Sequence, residues 1–386
     1  MNRSARLGLS VSALVGTILL LATHSSLATS PDDWPVKFHP HLKLESAYDD
    51  NIDISPDHER ADFSFTESPG LQLVYGDITQ TSLSLDYTAG IQQFLQHNSQ
   101  GADNHYVTFK GVSNFSHLKL AANNEFSIET SPNVEVGTRT REQQDLTDLS
   151  AEYLLNKYFS FGLLYHQELH HFLTSGQIDY NLFQPGVALY HHLSPKTDVY
   201  GEFDYGLVDE ATGQDQEYQS ASLGLRGKIT SKITGRIGVG YENRDYSGST
   251  PSVESLVSTV SLHGDFTQHT SADLVVERRV NPSVTVSSDS YTATRVDLTI
   301  NQKLFHERFL AYIGGSYEND DYNQPISLAP KVNRTDDIWQ GRIGLTYIAS
   351  KRLEMGVSYL HQDDGSTVDT FSFRRNVVTV HALLHF

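Results

Sequence analysis

The densest group of chemistry-bearing side chains is His166-Gln167-Glu168-Leu169-His170-His171. Imidazole and carboxylate are the donors that hold zinc and related metals. The order is not that of a zinc protease, in which Glu directly follows the first His and a helix brings the two His together. On a strand, residues four apart sit about 13 Å from each other, too far for one ion. The stretch is therefore expected to line the outer end of a polar interior, and no metal is expected. Asp49-Asp50-Asn51-Ile52-Asp53 begins like a calcium loop. Its sixth position, which needs Gly, is Ile54, and its twelfth, which needs Glu, is Arg60. Ser, His and Asp are plentiful, yet no spacing singles out a nucleophile with its base and orienter. No catalytic residue and no cofactor is expected, and the chain reads as non-enzymatic. With zero Cys there is no disulfide scaffold, thiol nucleophile or thiolate metal site.

The elements carrying these residues alternate with period two. In 353–359, Leu353, Met355, Val357 and Tyr359 share one face, against Glu354, Gly356 and Ser358. Residues 309–318, 339–346, 199–207, 221–228 and 233–242 repeat the pattern, and no helix pattern emerges from the mature chain. Tight turns recur near 77, 115, 157, 195, 231, 268, 306 and 350. Polar segments lie between them, among them His97–Asn104, Ser131–Gln144, Ala211–Gln216, Ser247–Ser252 and Asp321–Asn333. A repeat near 40 also occurs in propellers, but there it holds four short strands. Here it holds two long ones, of 10 to 14 residues. Long strands with one apolar face are the pattern of a transmembrane barrel, the one closed sheet that satisfies every backbone group in lipid. The expected fold is all-β: an antiparallel up-and-down β-barrel of 16 to 18 strands over 38–386, with short periplasmic turns and longer outer loops.

Residues 1–28 read as a secretory signal peptide. Arg3 and Arg6 precede the apolar run Leu7–Leu21, and Ser26-Leu27-Ala28 is a small-x-small cleavage site. Residues 29–37 then form a short periplasmic segment, too short for a plug domain. The formal charge is −19, from 28 Lys and Arg against 47 Asp and Glu. So acidic a chain is a poor nucleic-acid binder. The charge partitions along the fold. Turns carry Lys157, Lys196, Lys228, Lys232, Lys303, Arg308, Lys351 and Arg352, whereas outer segments carry Asp50, Asp53, Asp57, Glu59, Asp209, Glu210, Asp215, Asp320, Asp321, Asp363 and Asp364. Such outer carboxylates suit divalent cations that bridge to lipopolysaccharide. The inner face is expected to be mixed and pore-lining: Glu168, Tyr200, Glu202, Asp204, Arg226, Arg236, Arg295, Tyr312, Arg342 and Glu354. Tyr200 and Tyr312 are candidates for stacking on sugar rings or for packing. The longest outer segment, 130–145, is short, so no constriction loop is expected.

Two stretches carry resemblances. Val378, Val380, Ala382, Leu384 and Phe386 share one face of the last strand, and this resembles the C-terminal signal read by the assembly machinery of bacterial outer-membrane barrels. The opening strand and loop, with Pro40, Leu42, Leu44, Tyr48, Asp49, Asp50 and Asn51, resembles a family of outer-membrane β-barrel porins associated with exopolysaccharide export. The resemblance implies a bacterial outer-membrane conduit linked to export of extracellular polysaccharide, with export components as partners. It carries over no catalytic residue. An alginate-export barrel of similar strand count has a strongly basic pore, unlike the mixed interior expected here. The alternatives are a general or sugar-selective diffusion porin, and a structural barrel whose acidic loops anchor surface polymer or lipopolysaccharide. Expected partners are outer-membrane lipid, lipopolysaccharide and the assembly machinery, with the oligomeric state open.

Overall fold

The computed structural model describes residues 35–77, 80–285, 289–324 and 332–386. The expected leader 1–28, and residues 29–34 after it, lie outside the described residues.

Eighteen strands follow one another: β1 Val36–Asp49, β2 Asp62–Asp77, β3 Thr81–Phe94, β4 Ala102–Asn114, β5 Leu118–Asn133, β6 Thr138–Leu154, β7 Phe159–Phe172, β8 Tyr180–Ser194 and β9 Thr197–Glu210, then β10 Gln216–Lys228, β11 Ile233–Tyr246, β12 Val253–Asp265, β13 Thr270–Pro282, β14 Ser290–Leu304, β15 Phe309–Tyr322, β16 Thr335–Ser350, β17 Leu353–Ser366 and β18 Phe373–His385. Each strand lies beside its neighbours in sequence, and the recorded ladders are antiparallel. β1 also pairs with β18, from His41↔His385 to Asp49↔Val377. The sheet is thereby a closed all-β barrel. Closure gives every strand a hydrogen-bonded neighbour on each side, the arrangement a sheet needs to sit in lipid.

Alternation decides which way each side chain points. Trp339, Ile343 and Leu345 of β16, Val357 and Tyr359 of β17, and Val378 and Val380 of β18 are all exposed. The register aligns them, with Ile343↔Tyr359 and Val357↔Val380 in facing pairs. These outward rows are apolar, and the alternate residues turn inward. The tight turns fall where the sequence places them. At the β2–β3 turn Gly76 has φ +79°, and a Cβ there would sit 2.0 Å from the Thr81 carbonyl oxygen.

Two outer connections depart from the expected loops. Ser131–Gln144 is mostly strand: β5 and β6 pair up to Asn133↔Thr138, leaving Val134–Gly137 as the tip. This hairpin leaves the wall on both sides. The β4–β5 ladder stops at His105↔Ile128, and the β6–β7 ladder at Glu142↔Phe172. The hairpin top reaches the opposite side of the mouth, so the expectation of no constricting segment is corrected. Neither face of this hairpin meets lipid, so neither needed to be apolar, and its residues read as a polar loop.

The second departure is β13–β14. These two strands pair through Pro282↔Ser290, but β12–β13 pairing ends at Ser258↔Arg278. Above that point β13 turns inward. Arg244 Nη2 on the inner face of β11 donates to the Val280 carbonyl at 2.9 Å, and Ile178 N–H donates to the Val284 carbonyl at 2.8 Å.

Candidate functional site

The two inward hairpins meet over the lumen. Glu135 at the β5–β6 tip accepts from the Ser283 hydroxyl and, at 2.9 Å, from the Val284 amide beyond β13. The same tip is held from a third side. Arg334 Nη1 donates to the Glu135 carbonyl at 2.8 Å and Nη2 to the Val134 carbonyl at 3.4 Å. Arg334 is fully buried, pairs with Asp336 at 2.6 Å, and lies 3.5 Å and 4.4 Å from the ring centroids of Phe371 and Tyr322. Ser366 donates its hydroxyl to Asp336. Val136 packs on an apolar cluster of Phe172, Tyr180, Leu182, Val208, Tyr218 and Val284. The tip is thus a bridge tied to three other outer connections. Desolvation pushes the Glu135 carboxyl up to about 7, against the opposing pull of Ser283, Arg334 and the backbone amides.

Beneath the bridge lies a cavity of about 610 Å³. Glu125, Glu135, Glu142, Asp148, Glu168, Glu318 and Asp320 line it, against Arg279 and Arg295. Here the His-rich stretch finds its use. His166 bonds Asp148 at 2.8 Å and Glu168 at 2.9 Å, and His170 bonds Glu142 and lies 3.4 Å from Glu168. Arg279 reaches Glu168 from β13 at 3.5 Å. The imidazoles are occupied by carboxylates. Among the described residues no group of three His, Cys, Asp or Glu is arranged to hold a metal. Asp49, in the calcium-like stretch, forms an ion pair with Arg375 at 2.6 Å, and Asn51 donates to the Arg374 carbonyl.

A smaller cavity of about 190 Å³ gathers Glu168, Tyr200, Glu202, Asp204 and Arg236. Around it runs a series of arginines on tyrosine rings, at 3.3 Å for Arg226 on Tyr190, 4.2 Å for Arg236 on Tyr200 and 4.3 Å for Arg244 on Tyr218. Each arginine also holds a carboxylate: Arg226 with Glu152 and Asp198, Arg236 with Glu202, Arg244 with Glu242. Tyr200 is 1 % exposed and Arg236 covers its ring, so it packs and offers no face to a sugar. Arg295 lines the larger cavity. Arg226, Tyr312, Arg342 and Glu354 lie nearer the tight-turn end. There Arg342 binds Asp297, Tyr312 lies against Gly344, and Glu354 is 3.7 Å from His385. Glu135, Ser283, Arg334 and Asp336 escaped the sequence reading. Their partners lie up to 200 residues away, and no local spacing marks them.

Tyr200 also sets a packing limit. A Cβ on Gly224 would lie 2.1 Å from the Ile237 carbonyl and 2.6 Å from the Tyr200 ring. Gly224→Ala should cost about 1–3 kcal/mol, as overpacking does. The check is the temperature at which the folded gel band of the purified barrel is lost, which should fall.

Val378, Val380, Ala382 and Leu384 align on one face of β18, opposite Tyr359, Val357, Met355 and Leu353. Phe386 follows the strand, 70 % exposed, with its amide donating to the Pro40 carbonyl at 3.1 Å.

No curated protein matches the chain in sequence. Among solved structures it is similar to Pseudomonas aeruginosa OpdK, crystallised with vanillate, at TM-score 0.48 and 11% identity, over 91% of this chain and 99% of that one. It is similar to P. aeruginosa OccK2 (OpdF) at TM-score 0.49 and 10% identity, over 91% and 98%. The siderophore receptor PirA of P. aeruginosa gives TM-score 0.42 and 9% identity, over 94% and 82%. A family model, Putative beta-barrel porin 2, matches residues 170–386, more than half of the chain. By that match the chain belongs to this family, and it is a β-barrel porin of the bacterial outer membrane.

Proposed function

We propose that this barrel is a diffusion channel for small polar solutes that favours cations, with the bridge setting the size of what passes. The observation that carries the reading is the meeting of the two inward hairpins at Glu135 and Ser283, over a cavity lined by seven carboxylates, Glu135 among them, and two arginines. Solute passes beside the bridge and meets an acidic lining, and fixed charge in a narrow low-dielectric passage concentrates the opposite ion. The inward residues Glu168, Glu202, Asp204, Arg226, Arg236, Arg295, Arg342 and Glu354 act in this reading as pore lining. Glu202 and Arg236 pair with each other, Glu168 pairs with Arg279, and Arg226, Arg295 and Arg342 pair with carboxylates outside this set.

Planar-bilayer recording of the purified barrel tests this. Steady conductance is expected, with a reversal potential favouring potassium over chloride in a salt gradient. Glu142→Gln with Glu318→Gln should lower that preference severalfold. A barrel that never conducts would instead be the structural anchor.

Export of an extracellular polysaccharide is a second reading. It is favoured by the release of the β5–β6 hairpin from both neighbours above Ile128 and Glu142, which lets the bridge swing aside for a polymer. A deletion strain that loses its surface polysaccharide, with uptake of small sugars unchanged, would decide for it. Around either reading we place a leader at 1–28, insertion guided by Val378, Val380, Ala382, Leu384 and Phe386, and outer carboxylates that bind cations bridging to lipopolysaccharide.

A further inference from the structure

The wall between β12 and β13 is incomplete. β12 has 13 residues, and only Ser258–Asp265 pair with β13. Eight paired residues climb about 20 Å of an apolar band about 25 Å tall. The split therefore opens at the level of the outer leaflet. Above it Val253–Val257 bond to β11 but not to β13, whose upper end has turned into the lumen. Unpaired backbone at membrane depth is tolerated only where it lines a polar cavity. Such a cavity lies directly behind: Val257, Ser258, Thr259 and Arg278 to Pro282 line the 190 Å³ cavity already described.

The chemistry at the split is two-sided. Leu256, 64 % exposed, stands in the lipid-facing row with Tyr241. Arg278 sits opposite Ser258 in the outward row that contains Val276, Val260 and Val296. Arg226, Arg236, Arg244, Arg279, Arg295 and Arg342 each pair with a carboxylate. Among the described residues Arg278 has none, and its recorded bond goes to the Thr294 hydroxyl. A cation at the lipid-facing edge of a polar cavity, beside an exposed leucine, fits an anion that carries an alkyl chain.

We propose that the split between β12 and β13 is a lateral portal that takes an anionic amphiphile from the outer leaflet. Its headgroup binds Arg278 at the cavity mouth, and its chain lies along Leu256 in the membrane. This reading rests on the membrane position of the barrel and not on its conductance.

The absence of cysteine makes the test direct. Val257→Cys places one thiol in the cavity behind the split. In phosphatidylcholine vesicles, its alkylation by a water-soluble maleimide is timed with dodecanoate, with dodecyl maltoside and with inorganic phosphate. At ten times its dissociation constant, dodecanoate should slow alkylation about tenfold. The neutral maltoside and the free phosphate should leave it unchanged. Arg278→Gln should abolish the protection and Arg278→Lys should retain it, with folding checked by heat-modifiable gel mobility. No protection by dodecanoate overturns the portal. Equal protection by the maltoside overturns the role of charge, and equal protection by phosphate shows an aqueous anion site instead. Full protection in folded Arg278→Gln removes Arg278 from the site.

Discussion

Arg334→Ala should raise single-channel conductance severalfold. One guanidinium holds the carbonyls of Val134 and Glu135, the Asp336 carboxylate and the Phe371 ring face. Without it the β5–β6 tip keeps its bonds to Ser283 and Val284 but loses its hold on the β15–β16 side of the mouth. Because the hairpin is already free of β4 and β7 above Ile128 and Glu142, its release should clear the passage without opening the wall. The substitution also strands Asp336, which is fully buried. Removing one partner of a buried pair costs about 3–5 kcal/mol. Arg334→Ala combined with Asp336→Asn removes the stranded charge and separates gating from folding. Both variants should conduct more in planar bilayers while keeping the gel mobility of a folded barrel. Unchanged conductance in the folded double variant would mean that the bridge is not the barrier.

Conductance should also rise between pH 5 and pH 8, levelling off above the value of about 7 for Glu135. The sign follows from linkage. A carboxyl whose docked value is raised binds a proton that the undocked hairpin has already lost, so docking releases less charge into the interior at low pH. The contribution is full below the ordinary carboxylate value near 4.5 and is lost as pH rises through 7. One unit is worth about 1.4 kcal/mol, so docking weakens by at most about 3 kcal/mol over that range, and by less given the partial exposure of the side chain. The charges that face Glu135 are Arg334, which favours its ionised form, and Asp320, which opposes it. Glu135→Gln keeps an acceptor for Ser283 and Val284 and carries no proton equilibrium. It should hold the low-conductance state at both pH values. A pH step that survives in Glu135→Gln would assign the titration to another group.

The wall of this barrel was legible and its mouth was not, for one reason. Strands such as β16 and β17 have one face in lipid, and lipid demands an apolar residue at every second position. Trp339, Ile343 and Leu345 therefore announce themselves, as do the polar turns that end each strand. The top of β5–β6 touches only protein and water, so Ser131–Gln144 follows no alternation and read as a loop. The turning of β13 left no trace either, because Val276, Arg278 and Val280 still alternate as wall residues do. At the site, individual inward residues such as Glu168 and Arg236 could be named from alternation. Their pairing could not, because Arg279 meets Glu168 across the lumen from a strand 111 residues away. Strand count followed from turn count. Strand length was underestimated at 10 to 14: β2 and β16 run to 16 residues within the wall, and β5 and β6 to 16 and 17 where they leave it.

The closing ladder between β1 and β18 has a consequence in time. Every other ladder joins strands adjacent in sequence, whereas Tyr48 must find Val378. Loop-closure entropy puts that meeting at about 5 kcal/mol, against about 1 kcal/mol for a four-residue turn. Local hairpins should therefore form early and wait. The first strand to be synthesised stays without its second partner until the last has been made, so for the whole of translation and transit the chain exposes two sticky borders. Protection during that interval is a demand that the order of the strands places on the cell.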